Sequence, residues 1–245
     1  MKERMNDQII MKLLVSPINT EEANICKFCE VDIIDVKNTK EGSLGANFPW
    51  TIRAVKEIAG STPVSATIGD FNYKPGTASL AALGAAVAGA QYIKVGLYDI
   101  QTKEQALDML TNIVRSVKDY DKNKKVVASG YADYKRINSI SPLELPAIGE
   151  RAGVDVVMMD TGIKDGRSTF EFLTELQLTD FVAKARSLGL NTAIAGTIKF
   201  EDISVLKRIQ PDIIGVRGCV CGGDRNSAIK RELVERLRYE IKMMK

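Results

Sequence analysis

Histidine is absent from the 245-residue chain. That absence removes the commonest general base at neutral pH, a principal zinc ligand and every serine–histidine triad, so acid–base chemistry falls to Lys, Asp, Glu or Tyr. Long apolar runs are missing too, and Met1–Ile10 lacks the apolar segment of a signal peptide. The expectation is a cytoplasmic protein with no membrane partner. The 34 Lys and Arg residues form no block or arm and leave a net charge of only +3, which argues against nucleic acid as a partner. Linkers rich in Gly, Ser and Pro are also missing, which predicts one domain over 11–245 behind a short extension at 1–10.

What is present suits a packed interior: 45% of residues are apolar and 27% charged. Short β-branched runs alternate with longer amphipathic stretches. The strands read as Lys12–Ser16, Asp32–Lys37, Val64–Ile68, Tyr92–Gly96, Lys125–Ser129, Asp155–Asp160, Asn191–Ala195 and Asp212–Arg217. Between and after them the helices read as Glu21–Cys29, Pro49–Ala59, Thr77–Ala88, Lys103–Tyr120, Leu143–Arg151, Glu175–Leu188, Glu201–Ile209 and Asn226–Lys242. Their spacing of about 30 residues is what a strand, a crossover helix and the next parallel strand need. An open doubly wound sheet is the rival, but Ser16-Pro17-Ile18-Asn19-Thr20 stands where its G-x-G-x-x-G turn belongs. The reading is an α/β protein, a single (β/α)8 TIM barrel.

Barrel enzymes carry their reacting groups at the C-terminal ends of the strands. Asp35 and Lys37 close the second strand, Lys94 lies in the fourth, and Asp160 ends the sixth, followed by Lys164 and Asp165. One interior layer comes from alternate strands, so Lys37, Lys94 and Asp160 are expected to converge over one opening. An amine attacks a carbonyl only when deprotonated, and burial beside a second ammonium favours that form. Asp35 and Asp160 oppose that shift and suit orientation and proton transfer. The pattern leaves open which lysine attacks.

Glycine-rich turns follow the last two strands, and Gly196, Thr197 and Gly218 there are candidates to bind phosphate through backbone N–H groups. Arg217 adds either a charged clamp or a structural partner for a carboxylate. The loop at 38–47 is long enough to cover the site, and the turn Tyr73-Lys74-Pro75-Gly76 is a further candidate contact. Cys26 and Cys29 are expected at the bottom of the barrel, with Cys219 and Cys221 at the top. That separation argues against a shared metal or a disulfide.

Longer motifs are more specific. Asp-Val-Lys-Asn at 35–38, Glu-Gly-Ser-Leu-Gly-Ala-Asn-Phe-Pro-Trp at 41–50 and Tyr-Ile-Lys-Val-Gly-Leu-Tyr at 92–98 resemble the (5-formylfuran-3-yl)methyl phosphate synthase family, also called 4-(hydroxymethyl)-2-furancarboxaldehyde-phosphate synthase. The likeness continues through Ser-Gly-Tyr-Ala-Asp at 129–133, Ser-Pro-Leu-Glu-Leu-Pro at 141–146, Asp-Thr-Gly-Ile-Lys-Asp-Gly at 160–166 and Gly-Val-Arg-Gly-Cys-Val-Cys at 215–221. Thr39 and Cys29-Glu30-Val31 depart from the family pattern at positions that carry no proposed chemistry.

The resemblance implies a lyase of methanofuran biosynthesis, without cofactor or metal, that joins two molecules of glyceraldehyde 3-phosphate. It also implies Lys37 as the Schiff-base lysine and Lys94 as the proton acceptor, with Asp35, Asp160 and Lys164 in support. A class I sugar-phosphate aldolase would share the imine but stop at the aldol. A non-catalytic phosphosugar-binding barrel would bind without turnover. Apolar residues on the helix faces are compatible with a homo-oligomer.

Overall fold

The computed structural model describes residues 11–243, so the expected extension at 1–10 lies outside the described residues. Eight parallel strands close on themselves in chain order: β1 (Lys12–Val15), β2 (Ile33–Val36), β3 (Val64–Phe71), β4 (Tyr92–Leu97), β5 (Lys125–Tyr131), β6 (Val156–Asp160), β7 (Asn191–Ile194) and β8 (Ile213–Val216). Strand β1 pairs with β8 as well as with β2, so neither edge is left open. The expected single barrel is the observed one.

The helices are α1 (Thr20–Phe28), α2 (Pro49–Ala59), α3 (Pro75–Val87), α4 (Lys103–Tyr120), α5 (Leu145–Ala152), α6 (Glu175–Ser187), α7 (Ile203–Ile209) and α8 (Arg231–Met243). Local chemistry sets their ends. Asn19, Thr102 and Thr174 each accept a backbone N–H of the following first turn, Pro49 and Pro75 begin α2 and α3, and Gly153 closes α5 in the left-handed conformation. In α4 the buried Ala106, Met109, Leu110, Ile113 and Val117 form the stripe that packs on the sheet. No helix among the described residues is long and apolar enough to cross a membrane.

Helix α8 starts later than the expected Asn226. Arg217 takes the carbonyls of Arg225 and Ser227, and Glu22 takes the N–H of Ile229. Those bonds hold 225–229 as a loop and delay the helix. Strands β3 and β5 instead run past their expected ends, because their last residues are anchored over the mouth, as described below.

Inside the cylinder, alternation and register stack the inward side chains in layers from alternate strands. Lower layers are apolar, with Leu14, Ile33, Val127, Val156 and Ile213 in one cluster. Above them the filling turns polar, and Asp35 and Lys94 come from even strands at one level, with Lys37 and Asp160 at the next even level. Between Thr67 and Asp70 the register with β4 slips by a residue, and Gly69 there has φ +124°. This bulge turns Asp70, in place of Gly69, toward the mouth.

All four cysteines are free thiols, three of them buried. Their placement corrects the expectation of two distant pairs. Arg217, just before Cys219 and Cys221, grips Glu22 of α1, one turn from Cys26, so Cys221 comes near enough to act electrostatically on Cys26, whose pKa is raised chiefly by burial. Among the described residues no group of His, Cys, Asp and Glu side chains is arranged to hold a metal ion.

Candidate active site

The mouth opens into a cavity of about 210 Å³ whose lining includes Lys37, Lys94, Asp160 and Lys164. The three even strands therefore converge as their alternation predicts. Asp35 lies beneath, fully buried, with one carboxylate oxygen accepting from Lys94 Nζ and from Ser16 Oγ, each at 2.8 Å. Burial alone would raise the Asp35 pKa, but the charges of Lys94 and Lys37 and the Lys94 hydrogen bond outweigh it and keep the carboxyl below its ordinary range.

Asp160 is built the same way. Its Oδ1 accepts from Lys164 Nζ and from the backbone N–H of Thr161. Burial pushes its pKa up, and the Lys164 and Lys37 charges more than reverse the push, so it stays ionised.

Lys37 differs from both other amines. It is 7% exposed, and among the described residues its Nζ has no hydrogen-bond or ion-pair partner, whereas Lys94 and Lys164 each hold a carboxylate. Burial lowers its pKa most, the nearby Lys94 and Lys164 charges lower it further, and Asp160 and Asp35 only partly compensate, leaving it at about 7. Near neutral pH a large share of Lys37 is thus the free amine.

Backbone donors occupy the β7–β8 side of the mouth. Among the described residues the N–H groups of Gly196, Thr197 and Gly218 have no protein acceptor, and all three residues line the cavity. Thr197 sits at φ +52°, a conformation costing a β-branched residue about 1–3 kcal/mol. Gly196 beside it has φ +96°, and a Cβ there would overlap Thr169 Oγ1.

Arg217, the expected clamp, serves the other role considered for it. It is 6% exposed and bonds both Glu22 oxygens as well as the carbonyls of Ser16, Arg225 and Ser227. With its five N–H donors engaged, it fixes the β8 loop and is not free for a ligand.

The loop at 38–47 closes over the mouth as expected. Leu44 donates its N–H to Asp70, Ser43 Oγ donates to the Thr161 carbonyl, and Tyr131 Oη donates to Asp70. Gly96 makes room for that last pair, because a Cβ there would overlap the Tyr131 hydroxyl. Tyr73 turns the other way, donating to Asp108 on the outer surface and staying out of the cavity lining.

Three polar participants escaped the strand-end reading. Asp70 is inward only through the bulge, Arg225 arrives from a loop, and Asp133 aims the Lys164 loop by accepting the N–H groups of Gly162 and Ile163. A recognisable signal existed only for Asp133, in the motif Ser-Gly-Tyr-Ala-Asp at 129–133.

Known proteins agree with this picture. A family model described as 4-HFC-P synthase matches residues 13–238. The chain belongs to the 4-HFC-P synthase family. A relative from Methanosarcina acetivorans, named (5-formylfuran-3-yl)methyl phosphate synthase, is 72% identical over 93% of this chain and 97% of its own. One of the same name from Archaeoglobus fulgidus is 57% identical, with the same coverage of both chains. As a member of that family the chain is an enzyme. Among solved structures, KGPDC from Streptococcus mutans superposes with a TM-score of 0.67 at 13% identity, over 95% of this chain and 98% of its own. A 3-hexulose-6-phosphate synthase gives 0.63 at 21% identity, over 93% and 99%. At such identities they speak for the barrel alone.

Proposed function

We propose that the enzyme condenses two molecules of glyceraldehyde 3-phosphate into (5-formylfuran-3-yl)methyl phosphate, a step of methanofuran biosynthesis, releasing one phosphate and two waters. The observation that carries this reading is the state of Lys37: a buried amine without a carboxylate partner, with a pKa near 7, beside two amines that have one. Only such an amine adds readily to an aldehyde at neutral pH.

The chemistry then runs on this chain's own residues. The Lys37 nitrogen adds to one triose carbonyl, and loss of water gives an imine. Its positive charge makes the neighbouring C–H acidic, and the proton passes to Lys94 in its unprotonated form, the resulting ammonium being held by Asp35. The carbon so generated attacks the second aldehyde. Phosphate elimination, ring closure and two dehydrations end in an aromatic ring, which makes the sequence irreversible, and hydrolysis of the imine returns the water lost in its formation and frees the aldehyde and Lys37. Lys164, oriented by the Asp160 carboxylate, stands beside Lys37 to protonate departing oxygens. The free amides of Gly196, Thr197 and Gly218 take one substrate phosphate.

Incubation with glyceraldehyde 3-phosphate tests the proposal. A furan aldehyde absorbs strongly in the ultraviolet, and borohydride added during turnover should fix one triose on Lys37, seen as added mass on its peptide. Lys37→Ala should remove both signals. An unmodified Lys37 peptide during active turnover would refute the assignment, and a sugar phosphate without the chromophore would mean an aldolase.

A further inference from the structure

Two triose phosphates carry two phosphates, and the amides of the β7–β8 loops provide for one. Arg225 is the other cationic group over the cavity that is available to an anion. It lines the cavity, yet among the described residues it has no carboxylate partner, and its only side-chain hydrogen bond is from Nη2 to the Gly42 carbonyl at 3.1 Å. A guanidinium has five N–H donors, so most of its capacity is open.

Position separates Arg225 from the amide site. It rises from the β8 loop, but Gly42 lies against Asp70 of β3, so the head group is carried across the mouth toward the β2–β3 side. Burial lowers its pKa and so does the Arg217 charge, while the charges of Asp160 and Asp70 favour its ionised form. Neither is in hydrogen-bonding contact with it, since Lys164 holds Asp160, and Leu44 with Tyr131 holds Asp70.

We infer that Arg225 forms a second anion subsite, which takes the phosphate monoester of the second triose. The inference rests on the condensation proposed above. Binding exchanges one carbonyl bond for a charge-assisted, bidentate pair to phosphate oxygens. It also fixes the second aldehyde on the side of Lys37 opposite the amide site.

Arg225→Ala and Arg225→Lys separate the possibilities. The side chain makes only the Gly42 bond, so the fold is expected to tolerate both. Titration with inorganic phosphate, followed by calorimetry, should show two sites per chain in the parent and one in Arg225→Ala. In turnover, the glyceraldehyde 3-phosphate concentration for half-maximal rate should rise about tenfold or more in Arg225→Ala, with partial recovery in Arg225→Lys. Borohydride trapping on Lys37 should remain at the parent level, because the first substrate is held elsewhere. Equal phosphate stoichiometry in parent and Arg225→Ala overturns the inference, as does a parallel loss of trapping. If the parent itself neither traps nor turns over, the condensation reading fails, and the phosphate titration still decides the subsite.

Discussion

At the scale of single residues, the site works by unequal pairing. Three lysines share one mouth, and the charges of the two paired with carboxylates disfavour a charge on the third. Imine formation should therefore rise with pH through about 7, the Lys37 pKa, and level off above it. A pH series of borohydride trapping checks this, and a midpoint near 10 would contradict it. Stability follows the same group. The unfolded chain keeps the Lys37 proton up to about 10.5, whereas the folded chain releases it near 7, so this residue's burial costs most below pH 7 and progressively less between the two values. Lys37→Met should accordingly raise the urea midpoint at pH 6 and have little effect on it near pH 10.5.

At the scale of elements, helix α3 carries a weakness that nothing in the chain explains. Gly84 lies inside the helix, and a Cβ there would meet no atom within 4 Å. An interior helical glycine costs about 0.5–1 kcal/mol relative to alanine. Gly84→Ala should raise stability by that amount in thermal melts without changing turnover; a loss of stability would show that another surface needs the space. Elements were also the most legible part of the sequence. Patterns with periods of two and of 3.6 residues are local, so α2 and α4 could be read to the residue. The start of α8 could not be, because Arg217 and Glu22, far apart in the chain, decide it. Asp70 was hidden for a similar reason: one extra residue in β3 reverses which side chain faces inward, and alternation cannot anticipate the insertion.

At the scale of the whole molecule, the strand-end lysines and aspartates were legible because a closed parallel cylinder brings alternate strands to one mouth regardless of loop detail. Arg217 and Arg225 show the limit of that logic. Both follow β8 and border the cavity, but the loop, Ser16 and α1 occupy every donor of Arg217 and leave most of those of Arg225 open. Cys219 and Cys221 sit in the same loop, and burial raises the pKa of all four thiols, to about 12 for Cys219 and about 11 for Cys221. A thiol reagent at pH 8 should thus label the native protein slowly and reach all four cysteines only as the barrel opens in denaturant, which absorbance of the released chromophore follows. Rapid native labelling of Cys26 would contradict the packing of this loop.

The hydrogen at position 96 has a consequence for anyone redesigning this enzyme. It leaves the gap through which Tyr131 reaches Asp70, and Asp70 in turn suspends the segment roofing the entrance. A single methyl added there would evict the phenol and let the roof swing, so substrate girth can be altered from a residue that never touches the chemistry.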